Sequence, residues 1–122
     1  MPPQVTNLSA KLSAFTDQWS PKIIGEMDGF HFKLAKLEGD FVWHSHADTD
    51  EAFLIIHGQL RIDFRDGSTT LNEGEMLVVP KGVEHKPFAE GECHVMILVR
   101  EGTVNTGSAA PNDLTADPDA RV

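Results

Sequence analysis

The chain has 122 residues and a formal net charge of −9, enough for one domain with one core, and too acidic for the anionic surfaces of nucleic acid or membranes. Hydrophobic residues make up 40% and charged residues 24%, ordinary for a globular protein, and no apolar run approaches the roughly 20 residues of a bilayer span. One cysteine, Cys93, cannot form an intrachain disulfide, and the opening Met1-Pro-Pro-Gln-Val-Thr6 lacks a basic region followed by an apolar stretch, so a reducing, cytoplasmic setting is expected.

Residues 1–20 carry Val5, Leu8, Leu12, Phe15 and Trp19 at helical spacing, which predicts one helix lying on the outside of a sheet. Thr6 or Asn7 is placed to cap its start, and Pro21 to stop it. From Lys22 onward the pattern changes to short runs rich in Val, Ile, Phe and Leu. Strands are predicted near 22–27, 30–37, 41–46, 51–57, 59–65, 69–72, 76–80, 85–89 and 92–100. Asp28-Gly29 and Asp66-Gly67 signal type I′ hairpin turns, whose two central residues need φ > 0. Leu60, Ile62 and Phe64 alternate with charged residues, as in a strand wet on one face, whereas Phe53-Leu-Ile-Ile56 is apolar on both faces and should be central. Many short strands with no helix between them indicate an all-β sandwich or barrel. After Gly102 the composition turns polar and aperiodic, which predicts an extended or disordered tail. The expected organisation is therefore an N-terminal helical extension (1–21), a β-barrel (22–102) and a tail (103–122).

Two stretches carry the chemistry. In Gly39-Asp-Phe-Val-Trp-His-Ser-His46, an extended backbone turns His44 and His46 to the same side, with Cα atoms roughly 6.5–7 Å apart. Glu51 opens the next apolar run and could add an oxygen to a shared site. In Gly74-Glu-Met-Leu-Val-Val-Pro80-Lys-Gly82-Val-Glu-His85, a strand leads into a turn preset by Pro80 and Gly82, and His85 begins the strand that follows. A histidine so placed can be aimed at a site built elsewhere in the sheet.

Together the two stretches resemble the motifs of the cupin superfamily. The first reads His44-X-His46, four residues, Glu51, six residues, Gly58; the second reads Gly74, five residues, Pro80-X-Gly82, two residues, His85. Fifteen residues, 59–73, separate them, as in compact single-domain cupins. Gly102-Thr-Val-Asn-Thr-Gly107 looks like the end of small bacterial cupins of the mannose-6-phosphate isomerase-like group. Two positions depart from the pattern: Gly39 stands five rather than six residues before His44, and Ala89 occupies a place often held by asparagine. The resemblance implies an all-β double-stranded β-helix (a jelly-roll barrel) with a short N-terminal helix. It also implies a metal ligand set of His44, His46, Glu51 and His85. Three imidazoles and one carboxylate suit one divalent transition metal (Zn, Fe, Mn, Ni or Cu) and not Ca or Mg.

Around that set, Phe41, His57, Met76, Phe88 and Met96 are candidates to line a substrate space, and His94 and Glu84 are the candidate acid/base groups. For His57, a hydrogen-bonding role at the strand end is the plainer reading. His31 reads as structural or exposed, Trp43 has the parity to pack outside, and Cys93 reads as a buried, inert thiol. The resemblance implies a metalloenzyme acting on a small molecule in the barrel, with isomerase- or dioxygenase-type chemistry. Phosphosugar isomerisation has little support, since only Lys81 and Lys86 flank His85. The alternatives are a non-catalytic small-ligand or metal-binding domain and a filled barrel with a scaffold role. A homodimer is expected, with the helix and first strand (5–27) free to cover a partner's sheet edge.

Overall fold

The computed structural model describes all residues, 1–122. One short helix, α1 (Leu8–Leu12), precedes seven strands: β1 (Lys22–Met27), β2 (Phe30–Asp40), β3 (Glu51–His57), β4 (Leu60–Phe64), β5 (Gly67–Leu71), β6 (Met76–Val79) and β7 (His85–Arg100). Every strand pairing is antiparallel, in the order β1-β2-β7-β3-β6, with β4 joining β7 to β5. The result is the double-stranded β-helix that the motifs imply.

The sixteen-residue β7 is what closes it. Residues 93–100 bond β2 on one side, while the β3 contacts on the other run from His94 to Leu98. Residues 85–88 bond β4, and Phe88 and Ala89 also meet Asp40 and Gly39. The sequence suggests two strands here, broken near Gly91. The chain instead runs through as one, with Glu90, Gly91 and Glu92 exposed where it passes from one half of the barrel to the other.

Side chains of alternate parity fill the interior: Ala35 and Leu37 from β2, Phe53 and Ile55 from β3, Leu60 and Ile62 from β4, and Cys93, Val95, Ile97 and Val99 from β7. Asp28 (φ 51) and Gly29 (φ 82) form the β1–β2 turn with the backbone expected of type I′. The β4–β5 hairpin differs. Phe64 pairs with Gly67, so its loop is Arg65-Asp66, and neither residue has positive φ.

Both ends of the chain depart from the sequence expectation. The predicted helix over 1–20 is five residues long, capped by Asn7, whose side chain accepts from the Ala10 amide at 2.9 Å. Leu12 and Phe15 do form an apolar stripe, packed on Leu34 on the outer face of β2. Val5 is fully exposed, so the first turn of the predicted stripe has nothing to bury against. Trp19 leaves the helical path with φ 56 and turns into the barrel, where its indole Nε1 donates to the Glu38 carbonyl at 2.9 Å. The N-terminal segment therefore packs on its own sheet and is not a free arm.

The segment 103–122, expected to be extended or disordered, is a series of hydrogen-bonded turns folded back over the barrel. Asn105 holds it in place, with its amide donating to the carbonyls of Trp19 (3.0 Å) and Leu114 (2.8 Å) and its oxygen accepting from Ala116 (2.8 Å). The chain then runs beside β1, where the Ile23 amide donates to Ala120 at 2.8 Å. Backbone partners on the body supply the order that the polar composition does not.

Candidate metal centre

The two motif stretches are zipped to each other. His44 and His85 exchange backbone hydrogen bonds of 3.1 and 2.9 Å, the Gly82 amide donates to the His46 carbonyl at 2.8 Å, and Glu51 pairs with Val79. The Asp50 carboxylate also accepts from the Lys81 amide at 2.9 Å, tying the loop before Glu51 to the turn before His85. This ladder brings four side chains from two distant parts of the sequence, 44–51 and 85, to one point. The potential ligand atoms of His44, His46, Glu51 and His85 all lie within 4.8 Å of one another, and all four residues are buried.

The imidazoles are oriented from behind. Nδ1 of His44 donates to the Val42 carbonyl and Nδ1 of His85 to the Val83 carbonyl, both at 2.9 Å. A carbonyl only accepts, so the proton sits on Nδ1, and in the neutral ring Nε2 presents a lone pair inward. For His85 that lone pair faces Glu51 Oε1 at 3.1 Å. Two acceptors at that distance repel unless a cation stands between or beside them. Nε2 of His46 lies 3.5 Å from the same oxygen and is buried without a hydrogen-bond partner. Buried polar atoms are ordinarily satisfied, so this orphaned nitrogen is an observation in its own right. Three inward nitrogens and one carboxylate form a donor set that fits a divalent transition ion.

The electrostatics agree. Burial, reinforced by the neighbouring His85, pushes His44 down to about 4, so its ring is neutral at pH 7, the form that ligates. Burial alone would raise the Glu51 carboxyl, but a proton on the ring nitrogens of His46 and His85 that face it at 3.5 and 3.1 Å outweighs burial and holds the group down to about 2, and a cation held between them acts in the same direction. Glu51 is thus an ionised, buried carboxylate.

A cavity of about 40 Å³ adjoins the cluster, with His44 and Glu51 in its wall. Its apolar lining comes from Trp19, Leu37, Phe41, Phe53, Ile97 and Val99, and residues 116–118 lie across it. Phe41, one of the candidates for lining a substrate space, lies in the wall of this cavity. Its ring stacks on Trp19 at 4.6 Å between centroids and meets His44 edge-on at 5.2 Å.

The other candidates lie elsewhere. Cys93, Val95, Ile97 and Val99 take the inward parity of β7, which turns His94 and Met96 out. His94 pairs with Glu92 at 2.9 Å, and Met96 packs beside the α1 cluster. A register shift between Ile55 and His57 puts His57 outside, 3.3 Å from Glu73, close to the plainer of its two readings. Met76 is 62% exposed at the start of β6. Phe88, between the inward Pro87 and Ala89, lies beneath the Arg61 guanidinium at 4.5 Å. Glu84 pairs with Arg65 at the surface, and Trp43 stacks under the same Arg65 at 3.8 Å, outside as its parity indicates.

Three contributors escape the sequence reading. Trp19 reads there as part of a helix stripe. Lys33 is 3% exposed in the cavity wall, yet in the sequence it is one of three polar residues in Phe30–Leu37, with His31 and Lys36; its phase with Ala35 and Leu37 is the available signal. Gly107 (φ 49) packs against the back of the site. A Cβ there would stand 2.3 Å from the Ser45 carbonyl oxygen and 2.9 Å from Nδ1 of His46.

Comparison with known proteins agrees with this fold. Residues 30–100 match the family described as cupin domain. The chain is 56% identical to a cupin-2 domain containing protein from Shewanella frigidimarina of known crystal structure, which covers 77% of this chain and 92% of that one with a TM-score of 0.76. A Neisseria meningitidis protein of known structure is 41% identical over 80% of this chain and 99% of its own, with a TM-score of 0.73. The uncharacterized protein YdbB of Bacillus subtilis is 33% identical over 84 residues, 68% of this chain and 74% of that one. The mannose-6-phosphate isomerase-like grouping finds no support among these relatives.

Proposed function

This chain belongs to the cupin domain family, and from that premise we propose that it is a metal-dependent enzyme acting on a small molecule inside its barrel. The observation that carries the reading is the buried meeting of His44, His46, Glu51 and His85, with an orphaned His46 Nε2 among them and with His44 and Glu51 in the wall of a cavity. Those four residues would hold the ion, which when bound supplies Lewis acidity or, as iron(II), reaction with O2. The chain's own residues do the rest. Val42 and Val83 fix two rings through their carbonyls, Glu51 carries the compensating charge, and Trp19, Phe41 and Phe53 keep water from the space in front.

Between the two chemistries, the lining favours oxygenation over isomerisation of a sugar-like substrate. A sugar needs several hydroxyl partners, and the wall near the cluster is mostly apolar. A non-catalytic metal- or ligand-binding domain is the second reading, favoured by a free volume of about 40 Å³, room for a few waters.

Elemental analysis of protein purified without metal supplementation tests the first step. Near-stoichiometric transition metal in the native protein and its loss in His46→Ala is the expected outcome; unchanged metal content in the variant would remove the metal centre. Oxygen uptake that tracks turnover would then separate oxygenation from isomerisation, and an absence of turnover across substrate panels would favour the binding domain.

A further inference from the structure

We infer that Lys33 is the anion-binding group of the cavity, taking the carboxylate of a small, largely apolar organic acid in place of the Pro118 carbonyl that it now holds. This rests on reading the four-residue cluster as a metal centre and adds the class of molecule that the centre acts on.

Lys33 is on β2, paired with Ile97 of β7, and shares the inward face with Ala35 and Leu37. It stands in the same cavity wall as His44 and Glu51. A lysine in such a place is unusual, because burying an ammonium is costly unless its donors are matched. Nζ donates to the Pro118 carbonyl at 2.9 Å. That single neutral acceptor leaves two of three N–H donors unmatched. Burial lowers the ammonium from its usual range, and the carboxylates that oppose this, Asp119, Glu51 and Asp117, act only from beyond ion-pair distance, so an anion placed against Nζ restores the charge.

Charge balance points the same way. With neutral imidazoles, and apart from the solvent-exposed Asp117, the metal-free interior holds one negative charge on Glu51 and one positive on Lys33. A divalent ion leaves it with two uncompensated positive charges in apolar surroundings, and an anionic ligand removes that excess. One ammonium, without a cluster of arginines or a nest of backbone amides, suits a carboxylate better than a phosphate. The aromatic and aliphatic walls call for an apolar body. About 40 Å³ cannot hold such a molecule beside residues 116–118, so these residues must yield as it enters. They belong to the segment whose carbonyl occupies Lys33, so ligand and segment compete for one ammonium.

Trp19 lines this cavity, and Trp43, the other tryptophan, lies outside it, so in a Trp43→Phe background the fluorescence of Trp19 reports binding. Butyrate with butyramide, and benzoate with benzamide, are titrated into zinc-loaded and metal-free full-length protein. The expected result is saturable binding in which the carboxylates are favoured over the isosteric amides by about 10-fold or more. Lys33→Met should abolish the preference, and Lys33→Arg should retain part of it. Equal binding of acid and amide, no binding of either acid, or a preference that survives in Lys33→Met would each overturn the assignment. If Lys33→Met fails to fold, the acid–amide comparison in the parent and the Lys33→Arg titration decide. Metal content is measured on the same samples. Protein that takes up no zinc counts against the metal centre, whereas the dependence on Lys33 is read independently in the metal-free series.

Discussion

At the scale of single residues, His44 and Glu51 make the metal-free protein sensitive to acid. His44 falls from 6.5 in the free side chain to about 4 when folded, so between these values the unfolded chain binds more protons and stability drops as pH falls. The contribution is complete above pH 6.5 and gone below about 4. A shift of that size is worth about 3 kcal/mol as an order of magnitude. Glu51 has the same sign over a lower window, its contribution present above 4.5 and lost as pH falls through about 2. Denaturant unfolding of metal-free protein from pH 7.5 to 4 should therefore show falling stability, and in His44→Gln the decline between 6.5 and 4 should flatten. An unchanged decline in that variant would mean that His44 is not the group responsible. Cys93 behaves in the opposite, inert way, because burial pushes its thiol up to about 11 and keeps it protonated and unreactive at neutral pH.

At the scale of elements, the back of the site depends on a segment that looks expendable in the sequence. Gly107 fits beneath Ser45 and His46 because it has no Cβ, and the neighbouring Ser108 exchanges bonds of 2.9 Å with the Ser45 backbone. Gly107→Ala combines a 2.3 Å clash with a left-handed backbone, so a loss of about 1–3 kcal/mol is expected. Metal affinity should fall with it as His46 is displaced. Equal melting temperature and metal content in variant and parent would refute this placement.

The strand pattern was largely legible, because period-2 runs bounded by Asp-Gly and Pro-X-Gly turns depend on local chemistry. The meeting of His44, His46, Glu51 and His85 was legible through the family resemblance of the two motifs, since these positions lie on backbones zipped residue against residue. Facing was harder. His94, Met96 and Leu98 are as apolar a row as some inward ones, and only the pairing of β7 with β2 and β3 decides that Cys93, Val95, Ile97 and Val99 go inside. Trp19 and Lys33 escaped for a related reason, since a side chain's entry into a cavity depends on where distant segments such as 103–118 come to rest.

At the scale of the whole molecule, the outer face of β3 and β6 is unfinished. Leu54, Met76 and Val78 are exposed there, and β6 ends the sheet path with a free edge. Because the N-terminal segment packs on its own β2, this face and not residues 5–27 is where a second copy is expected to bind. Light scattering should give twice 13.4 kDa, and Met76→Lys should shift the mass toward the monomer. A clean monomer in the parent protein would end the dimer reading.

The length of β7 also sets an order in time. Phe30 pairs with Arg100, and β7 supplies partners to β2, β3 and β4, so none of these strands completes its pairing until the last strand emerges. Closure must therefore bring together residues some seventy positions apart, a topology that folds slowly for its size. His85 is the first residue of that strand and His44 bridges only to it, so the four-residue cluster assembles together with closure and not before it. During synthesis the nascent chain exposes its apolar strands for the whole interval, and His44, His46, Glu51 and His85 come together only once the barrel has shut.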